Sequence, residues 1–305
     1  EHPALVRLCL DRGAHFACSS YASDELAALG VEAAERGLVV LTEAGLDPGI
    51  DHLYAHLLVE RAKAELGADT PASAVFTSYC GGIPAVPNDF RYRFSWAPRS
   101  VLTALCSPAR YVEGGQERVA QRPWEATRAQ VIGGEEFEVY PNRDSVPFIG
   151  QYRVPGAWRP ESFVRGTVRL AGWREAWSDV FAVLREGDAD RITALAGELA
   201  EKYPMAEGDA DRVVLAVALT LVADDGRRWS GEYVLDLVGD REDTAMARTV
   251  SVTLACGVVD VLAGRSAPGL LRATEDSAAR WLDFLAEHGV RSELRVSTDP
   301  DHAPA

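Results

Sequence analysis

Lysine is almost missing from this chain: of 31 basic residues only Lys63 and Lys202 are lysines, 46 residues are acidic, and the formal net charge is -15. That balance argues against a nucleic-acid partner, which needs a clustered positive stripe. An anionic small molecule would need a local group of arginines set against the overall field. Cysteine is scarce and scattered. Cys9, Cys18, Cys80, Cys106 and Cys256 are odd in number and form no CxxC pair, which argues against a disulfide framework and a structural zinc. No apolar run approaches the roughly 18–20 residues of a membrane span, and no basic, hydrophobic and small-residue succession marks a signal peptide; a cytoplasmic location without a membrane partner is expected. HExxH is absent, since Leu53 stands where the protease glutamate would lie between His52 and His56, so these read as helix histidines and no metal site is expected. GxSxG and a P-loop lysine are absent too, which leaves hydrolase and NTP-dependent readings unsupported.

What is present is an ordinary globular composition, 47% hydrophobic and 25% charged over 305 residues, enough for about two domains. Residues 3–12 have helical periodicity, "HFACSSY" reads as a strand and loop, 23–36 as a helix with Ser23 as N-cap, and "GLVVLTEAG" as a buried strand. This alternation fits a parallel α/β sheet whose carboxyl ends bind ligands. A helix from 49 follows. Then "ASAVFTSYCGG", "RYRFSW", "FEVYPN" and "FVRGTVRLAGW" read as strands of a mixed or antiparallel sheet. A helical insert is expected at about 174–203, a hairpin around Asp224-Asp225-Gly226, a long apolar helix stopped by Gly264, and a last helix near 274–288 before a polar tail.

The stretch "LTEAGLDPGIDHLYAH" (41–56) sets Asp47 before Pro48, which disfavours a helical conformation there, and before Gly49, which permits a sharp turn. Taken alone, Asp47 is an ordinary turn or N-cap aspartate, Cys80 a small buried hydrophobe and Tyr21 a packed tyrosine.

The segments "SSYASDELAALG", "EAGLDPGIDHLYA", "SYCGGIPA", "RFSWAPRSVL", "YPNRDSVPF", "FVRGTVRLAGW" and "TAMARTV" occur in the order found in saccharopine reductase, the glutamate-forming saccharopine dehydrogenase family, which the chain resembles over nearly its whole length. The resemblance implies an NADP- or NAD-dependent oxidoreductase interconverting saccharopine with glutamate and 2-aminoadipate 6-semialdehyde in lysine metabolism, with a small-molecule amino-acid substrate. It implies Tyr21, Asp47 and Cys80 as catalytic residues in a cleft between domains, the general base among them being open. It implies Arg99, Asn142, Arg143, Arg165 and Thr167 as substrate-binding, and Ser20, Leu46 and Gly49 as cofactor-binding. Gly81 and Gly82 would let the backbone approach a ligand. The loop before "FSW" is shortened to "VPNDFRYR", which leaves a related amino-acid or carboxynorspermidine-like substrate open.

The resemblance implies a partial Rossmann-like dinucleotide-binding domain (1–48), an α/β substrate domain with a mixed or antiparallel sheet (49–240) and C-terminal helices (241–305) returning toward the first. The pyrophosphate-cradling GxGxxG turn is not in these 305 residues. Weak or absent cofactor binding by this chain is therefore expected, with a non-catalytic binding or scaffold homologue as the alternative reading. The long apolar helix near 245–262 is a candidate homodimer contact.

Overall fold

The computed structural model of the protein describes residues 2–94 and 97–298. Ser95 and Trp96 of the FSW motif, and 299–305 of the expected tail, lie outside the described residues. In chain order, α1 (His2–Asp11), β1 (Phe16–Ala17), α2 (Asp24–Glu35), β2 (Val39–Leu41) and α3 (Ile50–Leu66) come first. Next are β3 (Ala72–Pro84), α4 (Pro98–Leu105), β4 (Ala109–Glu113), β5 (Gln116–Ala120), β6 (Arg128–Ile132), β7 (Glu135–Pro141), α5 (Pro147–Gln151) and β8 (Trp158–Leu170). Three helices, α6 (Trp173–Ala176), α7 (Ser178–Glu186) and α8 (Ala189–Lys202), precede the hairpin of β9 (Asp211–Ala223) and β10 (Arg228–Val238). The described chain closes with α9 (Ala245–Leu262), β11 (Gly269–Leu271), α10 (Glu275–Glu287) and β12 (Glu293–Ser297).

Two compact units result, one from Glu1–Leu57 with Met246–Arg291, the other from Leu58–Ala245 with Ser292–Ala305. The first boundary differs from the expected break at 48/49 because α3 runs unbroken through it, so no linker marks the division.

In the first unit three parallel strands lie in the order β1-β2-β11. Val39, Val40 and Leu41 are buried, and Val6, Leu10, Leu26, Leu29 and Ala33 of α1 and α2 form a core with Val40. Each buried Val or Leu among them contributes about 1.5–3 kcal/mol. Ser23 caps α2, its hydroxyl accepting the Leu26 N–H at 3.2 Å. The expectation of no span-length apolar run needs correction: α9 has a mean hydropathy of 1.5 over 18 residues and is long and apolar enough to cross a membrane by length and composition. Only Arg248 and Asp260 interrupt it with charge. Its buried stripe carries Thr249, Thr253 and Asp260, and Asp260 accepts from Trp281 Nε1 at 2.7 Å and Arg280 at 2.5 Å. Polar bonds thus hold that face, while Val259 and Leu262 stay exposed.

The second unit is built on a nine-stranded mixed sheet, β12-β10-β9-β3-β8-β4-β5, with β7 also on β8 and β6 on β7. Only the β3–β8 pairing is parallel among the described pairs of this sheet. Two expectations fail here. The polar tail after the last helix includes β12, paired antiparallel with β10. The alternation in "RYRFSW" is not a strand over its described part, where an isolated bridge joins Phe94 to Pro204. Its described aromatics enter a helical core instead: Tyr92 meets Trp177 edge-on at 5.5 Å and Phe94 stacks on Trp177 at 6.2 Å, while the preceding Phe90 stacks on Tyr203 at 4.3 Å. Burial on one side mimics strand periodicity.

Candidate active site

In the first unit the parallel register sets the carboxyl ends of β1, β2 and β11 along one edge, the usual ligand edge of such a sheet. β1 runs out into Cys18-Ser19-Ser20-Tyr21 and β2 into Thr42–Asp47. Tyr21 and Asp47 meet there, the phenol donating to Asp47 Oδ1 at 2.6 Å. Both side chains are half-buried, a setting in which a phenol–carboxylate pair can hold or pass a proton.

The turn that presents Asp47 is built from its own backbone. The Asp47-Pro48 peptide is cis, Gly45 N–H bonds the Pro48 carbonyl at 2.9 Å, and Gly49 N–H donates to Asp51 Oδ1 at 2.7 Å. Gly49 has φ 148, and a Cβ on it would lie 2.1 Å from the Gly45 carbonyl oxygen. Only glycine fits. Leu46 is buried at 3% exposure. Of the three expected cofactor residues, Leu46 and Gly49 lie in the turn itself, and Ser20 is half-buried at the strand ends.

A network that the motif contained without announcing itself lies in the same loop. Glu43, 3% exposed with φ 56, accepts from the Ala22 N–H at 3.0 Å and Arg272 Nε at 2.9 Å, and its Oε2 lies 3.0 Å from His52 Nε2. His52 Nδ1 is 3.4 Å from Asp51 Oδ2. Burial would raise the Glu43 pKa, but His52, the Ala22 amide and Arg272 together outweigh it and lower it to about 2. An acid four residues before Asp47 and an arginine just after an apolar strand were the available signals.

In the second unit the parallel β3–β8 register brings three expected residues onto one sheet face: Cys80 pairs with Thr167 and Ser78 with Arg165. Cys80 is 8% exposed and Thr167 half-buried. Arg165, 3% exposed, lies over the Phe148 ring at 3.9 Å, and its own N–H donates to Ser145 Oγ at 2.9 Å. Asn142 N–H bonds the Arg165 carbonyl at 2.9 Å, which ties Asn142 and the exposed Arg143 (φ 58) to the same strand. A fork from Arg110 to Asp144, at 3.0 and 2.8 Å, braces that loop. A Cβ on Gly81 would lie 2.3 Å from the Val168 carbonyl oxygen, so the glycine admits the neighbouring strand.

Arg99 does not join this group. Exposed at the start of α4, it lines a cavity of about 340 Å³ with Arg122, Arg185 and Trp124, and none of the other expected residues is in its walls. Arg169, the other arginine flanking the Gly-Thr pair and not among the expected substrate residues, stands two positions beyond Thr167 and hence on the same face. It is 9% exposed, its guanidinium sits 5.3–5.6 Å from the rings of Tyr92, Tyr140 and Trp173, and it donates to the Val168 carbonyl. Its register partner Glu138 accepts the Gly172 and Arg174 N–H groups instead, and Arg169 has no carboxylate at ion-pair distance among the described residues.

The chain is similar to known proteins in sequence and in fold. The family model "Saccharopine dehydrogenase C-terminal domain" matches residues 45–290. The chain is 36% identical over 178 residues to saccharopine dehydrogenase [NADP(+), L-glutamate-forming] of Pyricularia oryzae, covering 56% of this chain and 38% of that protein. It is 39% identical over 183 residues to the protein of the same name from Saccharomyces cerevisiae, covering 57% and 39%. The chain thus spans about two fifths of the length of these relatives. Among solved structures, apo saccharopine dehydrogenase (L-Glu forming) from Saccharomyces cerevisiae superposes with a TM-score of 0.81 at 26% identity, over 97% of this chain and 82% of that one. Homospermidine synthase from Legionella pneumophila, in complex with NAD, shares the fold at 10% identity and a TM-score of 0.61, over 99% and 75%. With more than half its residues matched by the family model, the chain belongs to the saccharopine dehydrogenase C-terminal domain family.

Proposed function

We propose that the protein is a pyridine-nucleotide-dependent oxidoreductase of the saccharopine dehydrogenase (L-glutamate-forming) type, cleaving saccharopine to L-glutamate and 2-aminoadipate 6-semialdehyde with NADP as oxidant. The observation that carries this reading is the row on one sheet face in which Cys80 pairs with Thr167 and Ser78 with Arg165, with Arg169 next along β8. Two buried guanidiniums beside hydroxyl and thiol groups suit a substrate with several carboxylates and a central amine.

In the reaction a hydride leaves the carbon beside the secondary amine and a proton leaves the nitrogen. Water then adds to the resulting C=N bond, which breaks to a carbonyl and a primary amine. Ser20, half-buried at the strand ends, would help hold a nucleotide, which would supply the hydride acceptor. Arg165 and Arg143 bind substrate carboxylates, Thr167 orients one of them, and Arg169 receives the most deeply placed. The Tyr21–Asp47 pair of the first unit offers a phenol and a carboxylate able to take up a proton of the reaction. Cys80, largely buried, packs beside the amine without exchanging protons.

The test is an assay of the natural gene product for saccharopine-dependent NADPH formation matched one for one by L-glutamate. A folded protein that binds NADP but yields neither product would remove the proposal.

A further inference from the structure

On the sheet face opposite Cys80 and Thr167, a cavity of about 380 Å³ opens over β3 and β9. We propose that it binds a small organic cation, a linear alkyl ammonium or diammonium. Thr77, Ala218 and Glu232 stand in one row across β3, β9 and β10, so their side chains face the same way, and all three line the cavity. Its floor of Thr77, Ala218 and Thr220 is small and smooth enough for an alkyl chain. Glu113, Glu161 and Glu232 contribute three carboxylates against one cation, Arg128. That cation is already engaged: it donates to the Tyr79 hydroxyl and lies 3.6 Å from Glu113.

Glu232 is the second, independent observation. It is 7% exposed and makes no hydrogen bond or ion pair among the described residues. Its register partner on β12, Arg295, is clasped by Glu293 at 3.0 and 2.9 Å. Burial raises the pKa of Glu232, and a cation seated beside it would restore its charged form. Among the described residues no three His, Cys, Asp or Glu side chains converge to hold a metal ion. An ammonium, with three donors and an apolar tail, answers both the acid and the floor.

Calorimetric titration with 1,5-diaminopentane at physiological ionic strength tests the site, with glutarate as the anionic control. One saturable site is expected, weakened about tenfold or more by Glu232→Gln and unchanged by Glu25→Gln on α2. Ala218→Leu, which fills the floor, abolishes binding and serves if the first variant folds poorly. Equal affinity in wild type and Glu232→Gln overturns the proposal, as does the absence of saturable binding. So does a dimer by ultracentrifugation in which hydrogen exchange shows β3 and β9 covered by a second copy.

Discussion

His52 Nε2 stands 3.0 Å from Glu43 Oε2, and both side chains are almost wholly withdrawn from water, at 0% and 4% exposure. Arg272 completes the charge balance on the other carboxylate oxygen. With the folded pKa of Glu43 lowered to about 2, the unfolded chain binds more protons between that value and the ordinary glutamate range near 4.3. The stabilisation, about 3 kcal/mol, is therefore full above about pH 5 and disappears as pH falls to about 2. Denaturant unfolding at several pH values should show this loss, and Glu43→Gln should lack it.

Tyr21→Phe keeps the ring and deletes the donor that reaches Asp47 at 2.6 Å. Under the proposed reaction turnover falls by about 100-fold with a smaller change in KM. Cys80→Ser lowers turnover by less than about tenfold. Steady-state kinetics decide; the opposite order would make the thiol the proton carrier.

Arg169→Met separates binding from folding. Replacing a buried cation that lacks a carboxylate partner by an apolar chain of similar length leaves stability unchanged or raised. Loss of a charged hydrogen bond to substrate raises KM about tenfold or more while kcat holds. A destabilised variant with normal KM would make Arg169 a structural cation of the aromatic core.

Gly49→Ala forces a side chain into a φ of 148, with its Cβ 2.1 Å from the Gly45 carbonyl oxygen. The Asp47 turn has to move, and thermal unfolding should show a loss of about 2 kcal/mol or more. A stable, fully active variant would mean that the turn does not fix Asp47.

Local chemistry made some features readable in advance. Ser23 capping α2, the hairpin at Asp224–Gly226 and the stop at Gly264 depend on a few neighbouring residues, as did the mixed sheet class and the family resemblance. The strand assigned to "RYRFSW" failed because its described aromatics, Tyr92 and Phe94, alternate for another reason, packing on Trp177 far along the chain. Arg99 was placed with the substrate residues by motif position alone, whereas its cavity is made with Arg122 and Arg185.

By itself the sequence determined which residues could do chemistry, since Asp47, Tyr21, Cys80 and the arginines are fixed in kind and order. Only the tertiary structure decided which of them meet. Partners 26 positions apart (Tyr21–Asp47) or 229 apart (Glu43–Arg272) are set by strand register and loop closure. A side chain's neighbours, and with them its charge and its access to water, come from that register, which no local run of residues encodes.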